Sequence, residues 1–194
     1  MAEVPRTVTP ITREQAAELL IKHFPAVDRE TAALLLALMF IETGGGKSAI
    51  QHNPGNVTAK EDYPTLWRPP WYEVTPESAD RLHKLHALML QGRAPKAFRA
   101  YPSWDAGMDD WVGFLRVNYE PLLAAASTGD VPTFRAELAR KYAADYTSAH
   151  DKGLTQLRDA FRPLVSSQPP PKPRSNSFDL SKIAMLYLTL KGLG

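Results

Sequence analysis

The 194-residue chain has a formal net charge of +2, an apolar fraction of 44% and no cysteine. Those figures suit one globular domain with a short appendage and exclude a disulfide framework, a thiolate zinc site and a cysteine nucleophile. The near-neutral body, without a basic face interleaved with aromatics, argues against nucleic-acid binding, and the basic excess sits in the tail at Lys172, Arg174, Lys182 and Lys191 against Asp179.

In chain order, residues 1–11 lack periodicity, contain Pro5 and Pro10, and read as a flexible arm. The opening MAEVPRTVTP has neither the basic nor the apolar segment of a secretory signal, and no run approaches bilayer length, so no transmembrane segment is expected. Thr12 is a candidate N-cap with Gln15 closing a capping box, and Ala16, Ala17, Leu19, Leu20 and Phe24 supply the apolar stripe of a first helix that Pro25 ends. Asp28 caps a second helix. Its run from Ala32 to Ile41 is too continuous for a surface helix and belongs in the middle of a core.

That helix runs into Glu42, and Gly44, Gly45 and Gly46 stop it. A carboxylate is costly on so apolar a helix, and in the last turn the helix dipole also disfavours the anion. A carboxyl group held in its acid form is what a general acid for glycosidic cleavage requires. The plainer alternative is a helix-end Glu that reaches water or pairs with Lys47.

From Ser48 to Pro76 the composition changes to turns, loops and short strands. Asn53, Pro54, Gly55 and Asn56 form a turn, and Pro64, Pro69, Pro70 and Pro76 preclude a long helix. Tyr63, Trp67, Trp71 and Tyr72 follow in quick succession. Aromatic faces stack on sugar rings, so the cluster suits a carbohydrate groove; alternatively it is the core of a small lobe. Thr75 and Pro76 open a third helix to about Leu90, on which His83 and His86 lack the further ligands of a metal site. Ser103 caps a helix through Trp104, Trp111 and Leu115 that ends near Tyr119. A short helix follows from Pro121 to Ala126, closed by Gly129. Asp130 caps the next, which buries Phe134, Leu138 and Tyr142, and a last helix spans Asp151 to Leu164. Charges at Asp109, Asp110, Arg116, Arg135, Glu137 and Arg140 read as solvated faces. The expected architecture is mainly α, about seven helices, with a small irregular or β lobe around residues 48–76. Residues 166–177 are a Pro-rich linker. Residues 178–194 form an apolar segment, too charged to span a bilayer, that either folds back or docks onto a protein partner or membrane surface; docking is the preferred reading.

Four stretches resemble a known family. ALMFIETGGGKS is similar to the Glu-Thr-Gly-x-Gly-Lys-Ser signature of the glucosaminidases of glycoside hydrolase family 73, the flagellar muramidase and autolysin type. FRAYPSW, DDWVGFLRVNYEPLL and KYAADYTSA resemble later segments of that family in the same order, so the resemblance covers about residues 12–164 of a catalytic domain at 12–165. It implies a lysozyme-like fold that hydrolyses β-1,4 bonds of peptidoglycan glycan strands at N-acetylglucosamine, without metal or cofactor. It places the catalytic acid at Glu42 and the second carboxylate at Glu73, with Glu61 and Asp62 as alternatives. It makes Tyr142 a substrate contact, with Tyr146 standing in for a second family tyrosine that falls on Ser148, and it puts the turn with Asn53 and Asn56 in the cleft wall. Trp71, Tyr72 and Tyr101 complete the expected sugar-binding set. Cleavage at N-acetylmuramic acid, by hydrolysis or as a lytic transglycosylase, stays open, as does a silent cell-wall-binding or structural module on the same fold. A lysin without a signal, with a linker and an apolar end, suits a phage endolysin released by a holin or a virion-associated enzyme, and equally a bacterial wall enzyme exported with a partner.

Overall fold

The computed structural model describes residues 2–59, 64–67, 97–142 and 146–166. Glu73, Trp71, Tyr72, Glu61, Asp62, Tyr63, the helix expected from Thr75 with His83 and His86, and residues 167–194 with most of the linker and the apolar end lie outside the described residues.

Helix α1, Arg13–His23, begins as its sequence dictates: Thr12 Oγ1 accepts from the Gln15 amide at 3.2 Å, and Gln15 Oε1 accepts from the Thr12 amide at 3.1 Å. Asp28 likewise caps α2, Arg29–Glu42, accepting from the Thr31 amide at 2.9 Å. Every residue of α2 from Thr31 to Phe40 is buried. A helix apolar on all sides is stable only when other elements surround it, and here they do. Helix α6, Asp151–Ser166, lies along it, with the Phe40 and Phe161 rings edge to face at 4.8 Å. Helices α1 and α4, Glu120–Ser127, touch it as well. Leu34, Leu35, Leu36 and Leu38 are fully buried, and each contributes about 1.5–3 kcal/mol of apolar transfer.

Helix α3, Trp104–Asn118, is capped by Ser103 and supplies Met108, Trp111 and Leu115 to the same core. Helix α5, Val131–Glu137, passes directly into a π-helical turn, Leu138–Tyr142. A 3₁₀ turn, Ser148–His150, then leads into α6. The expected caps and the order of these helices agree with the sequence; the π turn was not anticipated. Among the described residues, no helix is long and apolar enough to cross a membrane.

Opposite the bundle lies a small sheet of β1 (Ala2–Glu3), β2 (Thr58–Ala59), β3 (Thr65–Trp67) and β4 (Ala97–Arg99), in the order β1-β3-β4-β2. β3 and β4 are antiparallel with Leu66 opposite Arg99, β4 and β2 are antiparallel with Phe98 opposite Thr58, and β1 runs parallel to β3. The fold is therefore mainly α with a small β lobe. The lobe departs from expectation in its first partner. Within the stretch 1–11, expected as a flexible arm, residues 2–11 provide an edge strand and a run of main-chain bonds: Val4 to Leu66, Thr9 to Ala49, Ile11 to Gly46, and an isolated bridge between Val8 and Ile50. Pro5 and Pro10 lack only their own donors, so the residues between them can still pair.

Asp110 also departs from its expected place on a solvated face. It accepts from Arg99 Nη1 at 2.5 Å and from the Tyr101 hydroxyl at 2.6 Å, which fastens β4 to α3.

Candidate active site

Three segments converge on Glu42. The first is the exit from α2, where Thr43 is fully buried; its hydroxyl donates to the Met39 carbonyl at 2.6 Å and accepts from the Gly46 amide at 3.2 Å. Gly44, Gly45 and Gly46 then have φ of 56°, 72° and 79°, a left-handed run that L side chains adopt only at a cost. A Cβ on Gly46 would collide with the Ile11 carbonyl, so the close passage of residues 9–11 also needs glycine there. The chain thus reverses within a few residues of Glu42, and the loop it enters comes back past the carboxyl group.

That loop, residues 49–57, is the second segment. Gln51, His52 and Asn56 all have positive φ, at 53°, 54° and 48°. Their conformation is fixed by hydrogen bonds. The Gln51 amide donates to the Thr7 carbonyl at 3.0 Å and the His52 amide to Thr9 Oγ1 at 2.8 Å, both on the N-terminal stretch. Asn53, expected at the substrate, is completely buried. Its amide nitrogen donates to the Val57 and Arg99 carbonyls, both at 3.0 Å, and its oxygen accepts from the Val57 amide at 2.9 Å. A buried amide must satisfy its polar atoms, and this one does so by closing the turn, so it is a structural residue and not a sugar contact. Asn56, three residues on, is half-buried, and its Nδ2 donates to Glu42 Oε2 at 3.0 Å and to the Glu42 carbonyl at 2.9 Å.

The third segment is the π turn and the residues after it. Tyr142 is half-buried, and its hydroxyl donates to the Gly55 carbonyl. The same spot is reached by the buried indole Nε1 of Trp111, which makes no well-aligned hydrogen bond among the described residues. Burial of the phenol raises its pKa far above the ordinary value, the negative charge of Glu42 adds to this, and the nearby Trp111 N–H opposes it. Tyr142 is therefore a neutral donor at any working pH. Gly55 has to be glycine: a Cβ there would fall inside contact distance of both Tyr142 Oη and Trp111 Nε1. The Tyr119 ring stacks edge-on against Tyr142 at 5.5 Å. Tyr146 is buried and its hydroxyl donates to Glu42 Oε1 at 2.6 Å.

The structure thus brings together Glu42, Asn56 and Tyr146 in direct hydrogen-bond contact, with Tyr142 one turn residue away. Tyr101 does not join them. It is buried, and its hydroxyl is committed to Asp110, so it acts as a brace of the lobe instead of a sugar platform. The sequence offers Tyr146 only as a substitute for a displaced tyrosine, and Trp111 only as a residue of the helix that Ser103 caps. The spacing of Tyr142 and Tyr146, four apart at the end of a helix, was the available signal. A regular helix would have aligned them, whereas the structure, with a π turn ending at Tyr142, puts one hydroxyl on Gly55 and the other on Glu42.

Chemically, the Glu42 carboxyl is half-buried and held at both oxygens. The Asn56 amide can only donate through Nδ2, but a tyrosine hydroxyl can give or take a hydrogen bond, so the contact with Tyr146 is compatible with either protonation state of Glu42. Such a carboxyl group can transfer a proton without moving far. Among the described residues, no group of three His, Asp or Glu side chains is arranged to hold a metal. No protein-family model, curated protein or solved structure matches the chain.

Proposed function

We propose that the protein is a peptidoglycan hydrolase that cleaves β-1,4 glycosidic bonds of the glycan strand, with Glu42 as the general acid. The supporting observation is the Glu42 carboxyl itself: it ends a helix buried from Thr31 to Phe40, remains half-exposed, and is held at both oxygens by Asn56 and Tyr146. A general acid works best when its carboxyl group is already in position, and holding both oxygens fixes that position. A lysozyme-like reading of the fold has the same basis, a buried helix that delivers a Glu to the boundary between a helical body and a small β lobe.

In the reaction, Glu42 gives its proton to the glycosidic oxygen as the bond from that oxygen to the anomeric carbon breaks. Water attacks the anomeric carbon and loses a proton to a base. Glu73 is our candidate for that base, or for a carboxylate that stabilises the developing positive charge, and Trp71 and Tyr72 are our candidates for sugar stacking. The setting that fits is a phage lysin or virion-associated lysin acting on the cell wall, with residues 178–194 docking onto a protein partner.

The test is Glu42→Gln assayed on purified peptidoglycan, with mass spectrometry of the released ends. Loss of the general acid lowers turbidity clearing by about 10²–10⁴-fold, with the melting temperature nearly unchanged because the amide keeps the shape. Wild-type clearing by the Gln variant would sink the assignment. A reducing N-acetylglucosamine end supports the glucosaminidase, a reducing N-acetylmuramic end a muramidase, and an anhydro end a transglycosylase. Binding to walls without any release of fragments points to a silent module.

A further inference from the structure

We propose that Asn56 is a positioning residue for the acid: its side-chain amide locks the Glu42 carboxyl into one rotamer by tying it to the carbonyl of the same residue. The inference rests on the reading of Glu42 as the general acid and adds a part that reading does not contain.

The geometry is specific. A single NH₂ group reaches two acceptors of one residue, the Glu42 carbonyl at 2.9 Å and Oε2 at 3.0 Å. The amide orientation follows from chemistry, since placing Oδ1 there would set an oxygen against two other oxygens. The two bonds form a clamp. The helix-end carbonyl is one of those left without an intrahelical donor, so Asn56 satisfies an orphan of α2 and fixes the carboxyl with the same group. A Glu side chain has three rotatable bonds, and a clamp at one oxygen with Tyr146 at the other at 2.6 Å removes most of that freedom before substrate arrives.

The backbone supports the same conclusion. Asn56 sits at φ 48°, a region that glycine occupies without penalty and that side chains with a Cβ adopt reluctantly. Its neighbour Gly55 is glycine for a steric reason, and the backbone at 56 would favour glycine as well. The side chain retained there makes bonds glycine cannot make. Asn and Asp are the residues that tolerate this conformation best, which makes two clean variants available.

Asn56→Gly keeps the turn and deletes the amide; Asn56→Asp keeps size and backbone tolerance but replaces the donor with an acceptor beside Glu42. On soluble peptidoglycan fragments, both lower kcat per folded molecule by about 10–100-fold and leave KM within about threefold; Asn56→Gly melts near the wild type, whereas Asn56→Asp melts lower because its carboxylate faces the Glu42 carboxyl and carbonyl. Asn56→Asp also moves the alkaline limb of the kcat profile to higher pH, because two carboxyls in contact resist carrying two charges. A residue that merely shapes the turn predicts something else: Asn56→Gly then keeps the wild-type kcat, and that result overturns the proposal. The side-chain carboxyl carbon resonance of Glu42, followed by NMR, is an independent readout. It shifts in both variants if the clamp exists, and an unchanged resonance in both overturns it. Should the wild type release no fragments from any wall substrate, the proposed function fails while the resonance still decides the clamp.

Discussion

Helix α2 and the loop that follows it touch the same carboxyl group, yet they are specified in opposite ways. From Thr31 to Phe40 every side chain is buried, and the segment is held by nondirectional apolar contact with α1, α4 and α6. From Thr43 to Val57 the chain is held by directional bonds of individual side chains: Thr43 to Met39 and Gly46, Asn53 to Val57 and Arg99, Asn56 to Glu42, and Tyr142 to Gly55. Burial summed over many atoms tolerates small displacements, whereas a bonded loop is right or wrong by fractions of an ångström. The helix therefore supplies stability and the loop supplies geometry, and Glu42 stands at their junction.

The largest expected effect on stability comes from the helix. Leu36→Ala removes a fully buried side chain and leaves a cavity in the core, at a cost of about 2–5 kcal/mol. Denaturant unfolding measures this directly. If the division between the two regions holds, the folded fraction of Leu36→Ala clears peptidoglycan at close to the wild-type rate per molecule. A loss of catalysis larger than the loss of folded protein would show that the core also sets the site.

The same division explains what was legible in the sequence. Continuous apolar residues from Ala32 to Ile41 announce a central helix, and Thr12, Asp28, Ser103 and Asp130 announce helix starts, because capping and burial depend on residue type alone. Bonded geometry leaves a weaker mark. Asn53 and Asn56 look equivalent in the string NPGN, but one is sealed under Val57 and Arg99 while the other faces Glu42, and only the fold distinguishes them. Tyr101 likewise has the look of a sugar platform in sequence, and only the fold shows its hydroxyl donating to Asp110. The N-terminal stretch was illegible for a related reason. Its bonds to residues 46 and 66, and the shorter of those to 49, are main chain to main chain, and such bonds select no residue type. The π turn was hidden because it depends on where Tyr142 must reach, not on what surrounds it in sequence.

A smaller stability effect, with a larger functional one, is expected from Gly55→Ala. The added methyl group must displace Tyr142 Oη and Trp111 Nε1, an overpacking cost of about 1–3 kcal/mol. The turn moves away from Tyr142, Asn56 moves with it, and the clamp on Glu42 opens. Activity per folded molecule then drops well below that of Leu36→Ala, even though stability suffers less. The reverse ranking in a paired measurement of unfolding and clearing would erase the distinction between the two regions.

The smallest effect tests a contact that belongs to neither region. Asp105, at the start of α3, accepts from Lys22 Nζ at 2.5 Å and meets His23 Nε2 at 2.9 Å, both at the end of α1. Hydrogen bonding to Lys22 and then to His23 holds its pKa below the ordinary carboxylate value. A carboxyl group whose folded pKa is depressed stabilises the fold above its unfolded pKa and loses that contribution as pH falls through the folded value. Asp105→Asn should therefore lower the unfolding temperature slightly at neutral pH, and the difference should vanish on acidification below the folded value. The Asp105 side chain is half-exposed, so added salt also shrinks the difference. The clearing rate per folded molecule stays unchanged throughout, because the ion pair joins α1 to α3 and makes no contact with Asn56, Tyr146 or Glu42. A fall in that rate would mean that the α1–α3 junction, and not only the bonded loop, sets the position of the acid.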